Sequence, residues 1–226
     1  MLGQEIVNEI NRKLSGEFEI VVFASDDWNT IVSAANENID LYNKSADWGS
    51  SYDPMYSIGA VSESEFYTLK NNEIGAISGS NRAYILFYDA DNKIVDKYKL
   101  VAQDIFDQSG DDDQVVTRNM KGLQLKPKVS TDKIYGCNIV LPVYRNAKKI
   151  SRVTDKVAMD DIYWLIGKTA ADLASTSPVA FIARNYDVFN KDATDRMKAM
   201  KKANRTTQSA TPAISAWTPS TRPDGR

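Results

Sequence analysis

The sequence predicts an α+β fold: a helical bundle of about four helices, with a small antiparallel β-sheet inserted after the second helix and a flexible C-terminal tail. Three observations predict it. Apolar residues recur at helical spacing at both ends of the chain, and the period drops to two across the β-region 55–144. After residue 205 the composition turns abruptly to Thr, Ser, Ala and Pro. The 226 residues are 42% hydrophobic and 26% charged, which is ordinary for a soluble domain that builds its core without disulfides. A single domain over 1–205 and a tail over 206–226 are therefore expected.

The first helix spans 2–15. Leu2, Ile6, Ile10 and Leu14 form one stripe, and Ser15-Gly16 stops it where glycine tolerates a left-handed cap. Ser25, Asp26 and Asp27 offer N-cap and first-turn acids for a second helix over 26–48, with Trp28, Ile31, Ala35, Ile39 and Tyr42 on its buried side. Beyond Asp53-Pro54, Ile58 and Ala60 and then Phe66 to Leu69 flank Ser62 to Glu65, predicting one hairpin. Tyr84–Tyr88 and Ile94–Val101 flank Asp89 to Lys93 and predict a second. Ile134 to Tyr144 reads as a further strand whose Pro142 belongs at an edge or end. Thr154 or Asp155 can cap a third helix over 155–175, which carries Ile162, Leu165, Ile166, Ala170 and Leu173. Ser177-Pro178 is a strong start for a fourth over 178–204, striped by Tyr186, Phe189, Ala193, Met197 and Met200.

The chain has no histidine, so Ser-His-Asp and Cys-His catalysis, histidine zinc sites and an imidazole switch are outside its reach. Cys137 is its one cysteine, which excludes an internal disulfide and multi-cysteine clusters and reads as a buried thiol. Asp104 to Asp113 holds five Asp and no Lys or Arg, with Ser109-Gly110 in its middle. It reads as an exposed loop, and it lacks the EF-hand register. Gly167-Lys168-Thr169 imitates a phosphate-binding loop, but Ile162 stands where that loop needs glycine. Asp160 and Asp161 are adjacent and would point about 100° apart on a helix, poorly placed to share a substrate. No enzyme, cofactor or metal is expected. No apolar run reaches the roughly eighteen residues of a membrane span, and Met1 to Lys13 is not a secretory signal, so a soluble protein made in the cytoplasm is expected. Asn43-Lys44-Ser45 and Asn204-Arg205-Thr206 match the glycosylation acceptor pattern, without consequence in such a chain.

The formal net charge is -2, so any charge-based function must be local. Arg145, Lys148, Lys149 and Arg152 cluster in one stretch. From Lys191 to Arg205 six basic residues face Asp192 and Asp195, a local net of +4. Favourable alignment with the helix dipole accounts for part of this. The sharper alternative is a cytoplasmic nucleic-acid-binding module that uses this basic C-terminal helix. The tail has three of the seven prolines yet keeps Ile214 and Trp217, which leaves two readings, an inert tail or a segment that orders when it docks on a partner.

The order of elements resembles the head-to-tail adaptor, or connector, proteins of tailed bacteriophages, related to the tail tubular protein A or gatekeeper group. The resemblance rests on IVNEINRKL and DDWNTIVSAANENIDLYNKSADW as an opening helix pair. Phe66 to Leu69 and YILFYDADNKIVDKYKLVAQDIFDQ look like the family's hairpin and acidic-aromatic turn, and DDIYWLIGKTAADLAS and YDVFNKDATDRMKAMKKANR like its closing helices. It implies a structural virion protein, assembled in the host bacterial cytoplasm. The protein would form a ring, twelvefold in family members, beneath the portal protein and above a downstream tail or nozzle protein. It would line the DNA channel, in transient contact with packaged DNA, with no membrane partner. Carried over by residue, it implies that the tail grips the portal, with Ile214, Trp217, Arg222 and Arg226 as anchors. Asp111, Asp112, Asp113, Lys198, Lys201 and Lys202 become the candidates for DNA-facing or lumen positions. A channel wall should not hold DNA tightly, because every retained phosphate contact resists ejection.

Overall fold

A computed structural model describes residues 1–15, 25–62, 64, 66–69, 73–77, 84–110, 113–119, 122–126, 133–177 and 183–210. Its largest element is a curled, mixed β-sheet shaped like a half-barrel, so the expected helical bundle with a small sheet is overturned. Eight strands take part: β1 (Tyr52–Ala60), β2 (Phe66–Tyr67), β3 (Ile74–Ile77), β4 (Tyr84–Tyr88), β5 (Ile94–Val101), β6 (Val115–Asn119), β7 (Gly122–Lys126) and β8 (Asn138–Arg145). Their spatial order is β1-β8-β4-β5-β6-β7-β2, with β3 also on β8.

The strands β4 and β5 form the expected hairpin. Asp89 builds its turn by accepting from the N–H groups of Asp91 and Lys93 at 2.9 and 2.8 Å, and Asn92 takes the left-handed conformation, φ 59°, that asparagine tolerates. The other expected hairpin does not form. β1 pairs with β8 and β2 pairs with β7, so Ser62 to Glu65 lies between two strands that never meet. β6 and β7 are short and were hidden in a segment of weak pattern. β6 runs parallel to β5, and a parallel neighbour requires a crossover, here residues 102–114 with a short helix α3 (Gln103–Gln108). Part of the expected acidic loop is therefore helical.

Pro142 does not sit at an edge, since β8 is flanked on both sides. No ladder needs its missing N–H all the same. It lies opposite the irregularity in β1 between Asp53 and Tyr56, and in the gap between the residues of β8 paired with β4 and those paired with β3.

The helices are α1 (Gly3–Ser15), α2 (Ser25–Ser45), α4 (Ile162–Ser175) and α5 (Tyr186–Ala210). Asp161, not Thr154 or Asp155, caps α4, accepting from Tyr163 N–H at 2.9 Å. The Ser177-Pro178 start falls at the border of the described residues, since 178–182 lie outside them. The last helix runs to residue 210, beyond the expected 204.

Two hydrophobic cores result. One lies within the sheet's curl, built on Tyr56, Phe87, Tyr98, Leu123, Ile139 and Leu141. The other unites the helices through Ile6, Ile10, Ile39, Tyr42, Trp48 and Trp164. There Tyr42 stacks on Trp48 with centroids 4.5 Å apart, and burial, opposed in part by the hydrogen bond from Asp160 N–H, pushes the Tyr42 phenol far up from its ordinary value.

Candidate functional site

Those residues singled out by sequence that are described do not gather into one site. Ile214, Trp217, Arg222 and Arg226 lie outside the described residues, as do Asp111 and Asp112. Asp113 is described and exposed, and it folds back on its own loop by accepting from Gly110 N–H at 2.8 Å. Lys198, Lys201 and Lys202 belong to α5, in the helical lobe, whereas Asp113 belongs to the sheet lobe.

The basic helix is less cationic in its setting than in its sequence. Arg196 reaches Asp161 at 2.9 Å and Asp192 at 3.2 Å, lies over the Tyr163 ring, and is held protonated chiefly by its hydrogen bond to Asp161. Lys198 lies 3.7 Å from Asp195. Asp161 is committed to capping and to Arg196, so it is no partner for Asp160 in chemistry. The cluster after β8 is likewise engaged: Arg145 pairs with Asp53, Lys148 with Asp155 at 3.1 Å and Lys149 with Asp40 at 2.7 Å. The Asp155 carboxyl is held below its usual range by the N–H groups of Ser151 and Arg152, with Lys148 adding to the effect.

Gly167-Lys168-Thr169 lies inside α4 and cradles nothing. Thr169 is buried beside the Asn38 amide, and Lys168 pairs with Asp172 one turn on. Cys137 is buried, and desolvation raises its thiol above the ordinary value, which keeps it poorly nucleophilic. Among the described residues no group of three or more Cys, Asp or Glu is arranged to hold a metal ion. No described helix is long and apolar enough to cross a membrane.

What the sequence reading missed is a set of asparagines that clasp the main chain. Asn36 and Asn43, two turns apart on α2, each use both ends of the amide on a single residue. Asn36 donates to Ile150 C=O at 2.9 Å and accepts from Ile150 N–H at 2.8 Å. Asn43 does the same with Ala147 at 3.1 and 2.8 Å. On α5, Asn204 is 8% exposed, accepts from Gly49 N–H at 2.7 Å and donates to Asp47 C=O at 2.9 Å. Two of these asparagines are the ones that match the glycosylation pattern, and both amides are consumed by packing. The one sequence signal was the seven-residue spacing of Asn36 and Asn43, which puts both on one helix face.

Each clasp ties a helix to a segment leading into or out of the sheet. The segment leaving β8 is fixed to α2, and the segment entering β1 is fixed to α5. Between them, Asp53 and Arg145 close the junction, with the Arg145 guanidinium 5.2 Å from the Tyr56 ring centroid. No protein-family model matches the chain, and no curated protein matches it.

Proposed function

We propose that this chain is a structural virion protein, a head-to-tail adaptor that forms a ring under the portal and joins head to tail around the DNA channel. The observation that supports it best is the setting of α5. This 25-residue helix, about 37 Å long, buries Ala193, Met200 and Asn204 against the helical lobe while Val188, Lys191, Asp195 and Lys198 on its other side are exposed. Such a helix is a rigid arm that delivers the following Pro- and Ser-rich segment to a partner. The clasps add support, because a part that bears load along a channel gains from lobes tied together at their junction.

In this reading Ile214 and Trp217 anchor the tail in the portal, and Arg222 and Arg226 add charge contacts. Asp111 to Asp113 face the lumen and repel DNA. The internal pairing of Arg196 and Lys198 suits a surface that touches DNA only in passing, and the same pairing disfavours the basic helix as a dedicated nucleic-acid module.

Mass photometry of the purified protein with the portal protein of the same genome tests the reading. The portal ring should gain mass in multiples of this 25.2 kDa chain. Trp217→Ala should weaken that binding at least about tenfold, the loss of a buried aromatic anchor. No gain in mass with folded protein refutes the adaptor role, and unchanged affinity in the variant refutes the tail anchor.

A further inference from the structure

The outward face of the central strands carries chemistry that the adaptor reading leaves unused. Four tyrosines, Tyr52, Tyr84, Tyr88 and Tyr144, and two lysines, Lys97 and Lys99, lie on it. Their neighbours in sequence, Ile85, Phe87, Tyr98 and Val143, face the core within the curl. Contacts join neighbouring members of the face, with half-buried Leu86 and buried Val140 between them. Tyr84 pairs with Lys99 across the β4–β5 ladder, and the Lys97 ammonium lies 5.2 Å from the Tyr84 ring centroid. Tyr88 donates its hydroxyl to the Met55 sulfur at 3.6 Å, bridging β4 to β1, and the Tyr52 and Tyr144 rings lie 5.4 Å apart. Tyr84 is 45% exposed.

The charge on this face has one sign. The two carboxylates of these strands, Asp53 and Asp96, are paired in register with the core residues Val143 and Phe87, and they are held by Arg145 and Lys133. A sheet face with one exposed ring, three half-buried ones, adjacent ammonium groups and, among the described residues, no outward carboxylate is an arrangement on which an unpaired base stacks while lysines meet phosphates.

We propose that this face binds single-stranded nucleic acid, with a base on Tyr84, further bases toward Tyr88 and Tyr144, and phosphates at Lys97 and Lys99. The exposed Asp104 and Asp107 of α3, which packs over β6, mark the boundary the strand avoids. Duplex DNA hides its bases and finds only the two lysines here, so the inference stands apart from the channel role. A protein partner would also accept tyrosines, but it would not by itself explain a pair of lysines on a face cleared of carboxylates.

The test is fluorescence anisotropy of the full chain with a labelled oligothymidine and with a duplex of equal length, over a series of salt concentrations. Oligothymidine should bind more tightly than duplex. Tyr84→Ala should weaken it at least about fivefold, and Tyr84→Phe, which keeps the ring, should restore most of the loss. Lys97→Gln combined with Lys99→Gln should lower the magnitude of the salt slope by about 1.4. Changing Lys198, Lys201 and Lys202 to Gln should weaken the binding less than Lys97→Gln with Lys99→Gln does. Equal affinity for duplex, indifference to Tyr84→Ala in a variant that melts like wild type, or loss of binding only in the α5 variant each overturns the proposal. So does absence of oligothymidine binding accompanied by self-association that Tyr84→Ala abolishes, which would make the face a contact between copies.

Discussion

Truncating Asn43 to Ala removes two hydrogen bonds to Ala147 and leaves that residue's N–H and C=O without partners beside a side chain that is 7% exposed. At about 1 kcal/mol net per hydrogen bond the loss is about 2 kcal/mol, and orphaned backbone groups push it toward 3. Alanine's better helix propensity returns roughly 0.5 kcal/mol. A net destabilisation of about 2 kcal/mol follows, or a fall in Tm of about 4–8 °C for a domain of this size. Asn36→Ala should cost a similar amount through Ile150. The double variant should cost less than the sum, because once one clasp opens, the segment it shares with the other is already partly released. Asn43→Asp keeps the acceptor for Ala147 N–H but sets its second oxygen against Ala147 C=O. That raises the new carboxyl's folded pKa, so the variant approaches wild type at low pH and falls behind as pH rises through the folded value. Urea unfolding followed by the fluorescence of Trp48 and Trp164, both in the helical core, reads all four variants. Single substitutions within 0.5 kcal/mol of wild type would refute the argument that these amides hold the two lobes together.

Three further outcomes follow from individual contacts. Thr117 on β6 is 1% exposed with its hydroxyl unpartnered among the described residues, so Thr117→Val should be neutral or stabilise by about 1 kcal/mol; a lower urea midpoint would show that the hydroxyl has a partner. Gly122 has φ +133°, and a Cβ there would sit 2.3 Å from the Tyr67 carbonyl oxygen; Gly122→Ala should cost about 2–4 kcal/mol, and a loss under 1 kcal/mol would refute that crowding. The Asp155 carboxyl is depressed in the native state, so its contribution is present above the unfolded value of about 3.9 and is lost as pH falls through the lower native value. Asp155→Asn should therefore lower Tm at pH 7 and close the gap to wild type in acid, and a gap that ignores pH would refute the assignment.

The helices were legible where apolar spacing was strict. Ile6 and Ile10, and Ile31, Ala35, Ile39 and Tyr42, lie buried on the faces that their periods defined. The β4–β5 hairpin was legible because its turn chemistry is local. The extent of the sheet was not, for a physical reason. β2 and β3 are two and four residues long, and β1 pairs with a strand 78 to 92 positions away, so none of the three carries a local mark of its partner. Parallel pairing of β5 with β6 leaves no turn signal at all. The asparagine clasps escaped because an amide that satisfies backbone reads, in sequence, like any polar residue on a helix.

Among the described residues the two cores share no side chain, and the chain segments that cross between the lobes couple them. Two strands cross, β1 on entry and β8 on exit, and they are paired with one another where they do so, Tyr52 with Tyr144 and Asp53 with Val143. A two-stranded junction alone would be a weak mechanical link. Here it is reinforced on the helical side by amides from α2 and α5 and at the junction itself by Arg145 on Asp53. The exposed ion pair contributes little stability, so the junction is stiffened on the helical side by the clasps together with the packing of Trp48, Ala147 and Ile150 in the helical core. Opening the clasps should loosen the sheet relative to the helices before either core unfolds.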